Sequence, residues 1–230
     1  MMTGECKRLA AATLRGKWNF GAGVTFLSQL ILSIGSGALY LPFMIAALYA
    51  VHTFLEEVTV GLLYGIYVAV SLIFSGIIIM GRRKLFLCLA RQEPVTADLL
   101  FDYFGSWRKM LQACKIAFFI SFYTFLWSLL LVVPGIIKSF SYSMTPFILI
   151  DHPEYTVHEA LDISREMMKG YKWQLFLLCL RFFGWLLLII LTFGIASFWV
   201  VPYVSTAVAH FYLRLSERDE LEEVSYSGLI

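Results

Sequence analysis

Charge is scarce in this chain: of its 230 residues only 15% are Asp, Glu, Lys or Arg, against roughly 25% in an average soluble protein. With 60% hydrophobic residues and a mean hydropathy of +0.77, a water-soluble fold of this length is excluded, because it has no interior large enough for so much apolar surface. Disorder is excluded too, since chains that fail to fold are poor in aromatic residues and this one is 17% aromatic. There is no basic excess either: 18 Lys and Arg against 16 Asp and Glu leave a formal charge of +2, which argues against nucleic acid as a partner. The four cysteines (Cys6, Cys88, Cys114, Cys179) form no CxxC pair and have no His at ligand spacing, so they read as free thiols and no metal site is expected. His52, His152, His158 and His210 are scattered, without an HExxH pair, and there is no GxSxG, P-loop or GxGxxG. No Asp or Glu falls inside a long apolar run, which argues against proton-coupled carriers and cation pumps. Neither a catalytic centre nor a cofactor is expected.

What the chain does have is long apolar runs. About 20 helical residues cross a bilayer core of about 30 Å. The first run, 20–51, is interrupted by Gly35, Gly37 and Pro42 and is too long for the core of a signal peptide. A second covers 58–80. A third, 116–133, leads to Pro134-Gly135, read as a turn, and a shorter fourth covers 139–150. The segment 116–150 is either two full spans or a re-entrant hairpin. The last pair, 173–193 and 195–213, has Gly194 at its turn and Pro202 inside its second helix. The expected fold is therefore all-α: a polytopic integral membrane protein of about six transmembrane helices in three hairpins. Gly21-Ala-Gly23 and Gly35-Ser-Gly37 are expected where helix backbones approach closely.

Orientation follows from the basic residues. Every Lys and Arg except Lys138 precedes, begins or follows a hairpin or lies in a long connection, with Arg82, Arg83 and Lys84 read as part of the connection after the first and Arg181 at the beginning of the third. By the positive-inside rule both termini and both long connections are expected to be cytoplasmic, with Lys138 alone on the opposite side. Glu56 and Glu57 fall in the first outward turn.

Each hairpin also has a similar approach: a short amphipathic helix, a glycine and a tryptophan. Cys6, Leu9, Ala10, Thr13 and Leu14 share one helical face ahead of Gly16 and Trp18. Val157, Ala160, Leu161, Ser164 and Met168 do so ahead of Gly170 and Trp173, behind a capping box at Thr156 and Glu159. The stretch 96–107, ending in Trp107, is a looser copy. Such helices are expected to lie at the headgroup level, with Trp18, Trp107 and Trp173 as interfacial anchors. The chain thus divides into a single membrane domain, 1–215, of repeat-like units 4–92, 93–151 and 152–215, and an acidic cytoplasmic tail, 216–230, expected to be disordered.

Two cations stand out. Arg181 lies eight positions beyond Trp173, about 12 Å along a helix, so it either snorkels or binds an anion such as a lipid phosphate. Lys138 either contacts headgroups or recognises an anion. Tyr142, Lys169 and Lys172 complete the candidate anion- or lipid-binding set.

The stretch Leu126-Trp-Ser-Leu-Leu-Leu-Val-Val-Pro-Gly-Ile-Ile-Lys138, with Tyr142, Asp151-His-Pro-Glu154, Glu159, Ser164-Arg165, Gly170, Gly184-Trp185 and Pro202-Tyr203, resembles bacterial integral membrane proteins grouped as domain of unknown function 975. The likeness runs from the Leu14–Trp18 entrance to Tyr212. It implies a polytopic helical protein of a bacterial plasma membrane and supplies no catalytic residues. A fainter likeness in layout links the chain to the helical membrane regions fused to glycerophosphodiester phosphodiesterases, implying a lipid-related or scaffolding setting. The expected function is that of a non-enzymatic scaffold or accessory protein whose partners are membrane lipids and either a membrane protein or a second copy of the chain; the alternative is a small permease or a lipid or peptide transporter using Arg181 and Lys138.

Overall fold

The computed structural model describes residues 2–49, 54–130 and 132–227. His52 lies outside them, as do the side chains of Glu56, Glu57, Pro134 and 219–227. Among the described residues every regular element is helical: α1 (Met2–Thr13), α2 (Trp18–Tyr49), α3 (Phe54–Ala90), two 3-10 turns (Ala97–Leu100 and Asp102–Gly105), α4 (Trp107–Leu130), α5 (Val132–Ser141), α6 (Thr145–Asp151), α7 (Val157–Met167), α8 (Lys172–Arg181), α9 (Phe183–Leu191) and α10 (Ser197–Ser227). Among the described residues three stretches, Val58–Ala90, Trp107–Leu126 and Lys172–Leu191, are long and apolar enough to cross a membrane.

The core gathers at one end of the molecule, and α3 shows how. Its first section exposes Leu62, Ile66, Leu72 and Ile73, whereas Leu85, Phe86, Leu87 and Leu89 of its last section are fully buried. At about 1.5 Å per residue its 37 residues reach about 55 Å, enough for an exposed apolar section and a packed one. Arg82, Arg83 and Lys84 consequently belong to the packed section of this helix, not to a connection. The division recurs on α8 and α9, where Leu175 and Leu178 are buried and Phe183 and Trp185–Leu188 are exposed, and on α10, where Trp199 is exposed and Ala209–Tyr212 is buried. One core cluster includes Cys6, Leu87, Ile116, Phe147, Leu161 and Phe211, so it draws on all three repeat-like units.

The amphipathic helices have the faces expected of them but a different cover. Cys6 and Ala10 of α1 and Leu14 just after it are completely buried, and so are Ala160, Ser164 and Met168 in and just after α7. What covers α1 is α10: Tyr203 donates to the Lys7 carbonyl at 3.3 Å, and the Thr13 hydroxyl lies 2.9 Å from His210 Nε2. What covers α7 includes α5 and α6, with the Ser164 hydroxyl donating to the Ser141 carbonyl at 2.8 Å. A helical apolar stripe looks the same whether lipid or protein covers it; here it is protein. Burial also pushes the Cys6 thiol up to about 11, which keeps it protonated and unreactive. The third approach is not an α-helix at all but the two 3-10 turns.

The glycine hinge holds in the two stronger copies. Gly16 and Gly170 both take left-handed backbone, φ +82° and +81°, a conformation nearly free for glycine alone. At the third, the chain leaves Gly105 through an extended Ser106. Trp107 and Trp173 are 68% and 66% exposed, while Trp18 packs edge-on against Tyr203, ring centres 5.9 Å apart. Gly194 lies at φ +92° after α9, and Pro202 is inside α10.

The second hairpin departs most from expectation. Pro134 and Gly135 do not form the turn; they are the third and fourth residues of α5, where a backbone N–H has no intrahelical acceptor and proline is tolerated. α5 runs back along α4, bringing the Tyr142 ring to 6.0 Å from that of Tyr123. The return leg is broken between α5 and α6, which have 10 and 7 residues. The tail also differs: α10 stays helical to Ser227 instead of ending near residue 213.

Close approaches set the packing of α2, α3 and α10. A Cβ on Gly21 would sit 3.1 Å from Pro202, and one on Gly35 would meet the Phe74 ring, whereas Gly23 and Gly37 have nothing within 4 Å. At the packed end, Asp102 joins α3 to α4 by accepting from Lys84 at 2.8 Å and Lys109 at 3.0 Å. Burial raises this carboxyl, but the two ammonium groups outweigh it and hold it below the usual carboxylate value. The stabilisation is therefore fully present above the ordinary carboxyl value of 3.8 and is lost as pH falls through the lower folded one. The Asp102→Asn variant is expected to lose stability at pH 7 and to show a flatter decline below pH 4 than the parent, as thermal unfolding measured from pH 3 to 7 will reveal.

Candidate functional site

Three groups of side chains tie the elements together at the packed end, and they differ in what they leave available. In the first, Arg91 at the end of α3 donates two hydrogen bonds to the Asp151 carboxylate, at 2.8 and 2.7 Å, and the Tyr212 hydroxyl donates a third at 2.8 Å. Tyr212 stacks on Phe147, ring centres 5.3 Å apart, and the Arg83 guanidinium lies 6.0 Å from the Phe147 ring. With its carboxylate satisfied by three donors, this group is structural.

The second group is cationic. Lys138, expected on the face opposite the other basic residues, lies instead within electrostatic reach of Arg165 and Lys172. The short α5 explains the correction. Its end is held to α7 by the Ser164–Ser141 hydrogen bond and to α8 by Phe140, whose ring meets that of Phe176 edge-on at 6.1 Å. Tyr142 is 6% exposed and lies within reach of Arg165 and Asp162. Three cations from three elements thus converge beside a buried tyrosine. Arg165 also holds Asp162 at 2.8 Å, on the exposed side of α7. Lys169 does not join them; it pairs with Glu166 at 3.3 Å. Arg165 carries part of the family resemblance but lies outside the anion-binding set read from sequence, because its neighbour Lys138 arrives through a contact spanning 23 residues.

The third group lies at the other end of α8. The Arg181 guanidinium reaches α1, with one nitrogen 3.1 Å from where a Cβ on Gly4 would be. One turn along α1, the Lys7 ammonium lies 5.4 Å from the centre of the Phe182 ring. Arg181 is exposed and sits where α8 passes from the buried core to the exposed apolar section, not deep within that section. The structure therefore gathers Lys138, Lys172 and Tyr142 of the candidate set, and separates Arg181 and Lys169 from them.

Two grooves open between helices. One, of about 370 Å³, lies between α2 and α3 and includes Gln29, Ser33, Tyr67, Ser71 and Ser75 in its lining. The other, of about 330 Å³, lies between α8–α9 and α10 and is almost wholly apolar. Among the described residues no three His, Cys, Asp or Glu side chains converge as metal ligands.

A family model described as "Protein of unknown function (DUF975)" matches residues 129–219, from the end of α4 into α10. The match takes in the Lys138–Arg165–Lys172 group and Asp151, and begins well after the Leu14–Trp18 entrance. No curated protein and no solved structure matches the chain.

Proposed function

We propose that the chain, whose residues 129–219 match that family of unknown function, is a non-enzymatic membrane protein that binds anionic lipid and acts as a scaffold or accessory component in the bacterial plasma membrane. The convergence of Lys138, Arg165 and Lys172 carries this reading. Three cations within electrostatic reach of one another make a positive patch that attracts a phosphate, and a lipid bound there leaves its acyl chains beside an exposed apolar belt. That belt supports the membrane setting: Phe26 to Ile45 on α2 alone measures about 28 Å at about 1.5 Å per residue, close to the hydrocarbon thickness of a bilayer.

In this reading α2, α4 and α8–α9 lead away from the cytoplasmic side and α3, α5–α6 and α10 lead back, giving three hairpins with both termini in the cytoplasm. With Lys138 beside Arg165 and Lys172, no basic residue remains to oppose the positive-inside rule. Trp107 and Trp173, exposed at the starts of α4 and α8, serve as interfacial anchors. The permease alternative finds less support, because Arg181 and Lys138 do not line one path.

Native mass spectrometry of the protein released from nanodiscs tests the lipid reading. Phosphatidylglycerol is expected to be retained over phosphatidylcholine, and replacing Lys138 and Lys172 together with Gln is expected to cut that preference by about tenfold. Equal retention of the two lipids by the parent would sink the proposal. The orientation fails separately if an epitope inserted between Gln92 and Val95 is reached by antibody from outside intact cells.

A further inference from the structure

The groove between α8–α9 and α10 has a shape and a charged end that the scaffold reading leaves unused. Its walls are Phe183, Leu186 and Ile189 on one side and Val200, Val201 and Val204 on the other. From Cys179 to Ile189 it runs about 15 Å, half the thickness of a bilayer core and so the depth of one leaflet. A shallow open slot of about 330 Å³ with an almost wholly apolar lining matches an extended hydrocarbon chain laid along it.

The charged end decides which molecule owns that chain. Phe182 lines the groove at its α8 end, the Lys7 ammonium lies 5.4 Å from that ring, and Arg181 reaches Gly4 on the preceding turn of α1. Among the described residues neither cation makes an ion pair within 4 Å. Two cations at one end of a leaflet-deep apolar slot complement a phosphate esterified to an acyl-bearing glycerol. We propose that this groove is an anionic phospholipid site, with one acyl chain between α9 and α10 and the phosphate held by Lys7 and Arg181.

The inference rests on the membrane setting proposed above but not on the Lys138 group, from which Arg181 is separate. Full-length protein in nanodiscs containing phosphatidylglycerol or phosphatidylcholine with a photoactivatable diazirine on one acyl chain provides the test, with labelled peptides mapped by mass spectrometry. Labelling is expected to concentrate on 179–189 and 200–205, with phosphatidylglycerol favoured by about tenfold, and the Lys7→Gln/Arg181→Gln variant is expected to lose that preference. The Lys138→Gln/Lys172→Gln variant is expected to keep it, so failure of the patch and failure of the groove are told apart. Labelling spread evenly over the exposed sections of α2 and α3, or equal for the two headgroups in the parent protein, overturns the proposal whether or not the variants fold. So does cross-linking of a second protein copy in the groove in place of lipid.

Discussion

The Gly81→Ala variant is expected to unfold about 6–12 °C below the parent, a loss of about 3 kcal/mol at roughly 2–4 °C per kcal/mol for a chain of this size. From helix propensity the sign would be the reverse, since Ala in place of Gly inside a helix gains about 1 kcal/mol. The difference lies in what passes over α3. A Cβ at Gly81 would fall on the carbonyl oxygen of Leu100 and 2.8 Å from its carbonyl carbon. Backbone cannot rotate aside as a flexible side chain can, and Leu100 is itself completely buried, so the 3-10 turn carrying it would have to lift off. Gly65 on the same helix is the control, because nothing lies within 4 Å of a Cβ there. Gly65→Ala is expected to match the parent or exceed it slightly. Thermal unfolding of both variants in one detergent checks the pair. A Gly81→Ala protein as stable as the parent would show that the turn does not sit on α3 as described.

Asp151→Ala is expected to cost about 2–3 kcal/mol. The charged pair it breaks is neither fully exposed nor fully buried, with side chains 14% and 34% exposed for Asp151 and Arg91, so its loss belongs between the roughly 0–1 kcal/mol of surface pairs and the roughly 3–5 kcal/mol of buried ones. Removing the carboxylate also leaves the Tyr212 hydroxyl, on a residue only 2% exposed, without that acceptor. Asp162→Ala, which breaks the more exposed pair with Arg165, is expected to change stability by less than about 0.5 kcal/mol. A double-mutant cycle between Asp151→Ala and Tyr212→Phe should show a coupling of at least about 0.5 kcal/mol, because the two side chains share a hydrogen bond. Additive losses would mean that Tyr212 and Asp151 act independently.

Much of the local structure was legible without coordinates. The capping box at Thr156 and Glu159 forms as its spacing requires: the Thr156 N–H donates to Glu159 at 2.7 Å, and the Glu159 N–H donates back to the Thr156 hydroxyl at 3.3 Å. The buried faces of α1 and α7 match the stripes read at helical spacing, and Gly16 and Gly170 take the backbone that only glycine adopts cheaply. The long connection 81–115 and the return leg after α4 were harder. Arg82, Arg83 and Lys84 look like a cytoplasmic loop because three cations interrupt an apolar run, yet α3 continues through them into a protein interior that accommodates their long stems. Pro134-Gly135 looks like a turn because the pair so often makes one, yet in the first turn of a helix proline loses nothing.

The sequence by itself determined the all-helical fold, the apolar sections long enough to cross a membrane, the caps and hinges, and the buried side of each amphipathic helix. These follow from interactions over a few residues, or from composition averaged over about twenty, and both are written in the order of the chain. Only the tertiary structure decided that α10 rather than a headgroup layer covers α1, that Lys138 joins Arg165 and Lys172, and that Lys7 and Arg181 share the end of one groove. Those depend on which surfaces meet across large separations, such as the 197 residues between Thr13 and His210. Lipid and protein both reward an apolar stripe, and only the packed chain shows which of them provides the cover.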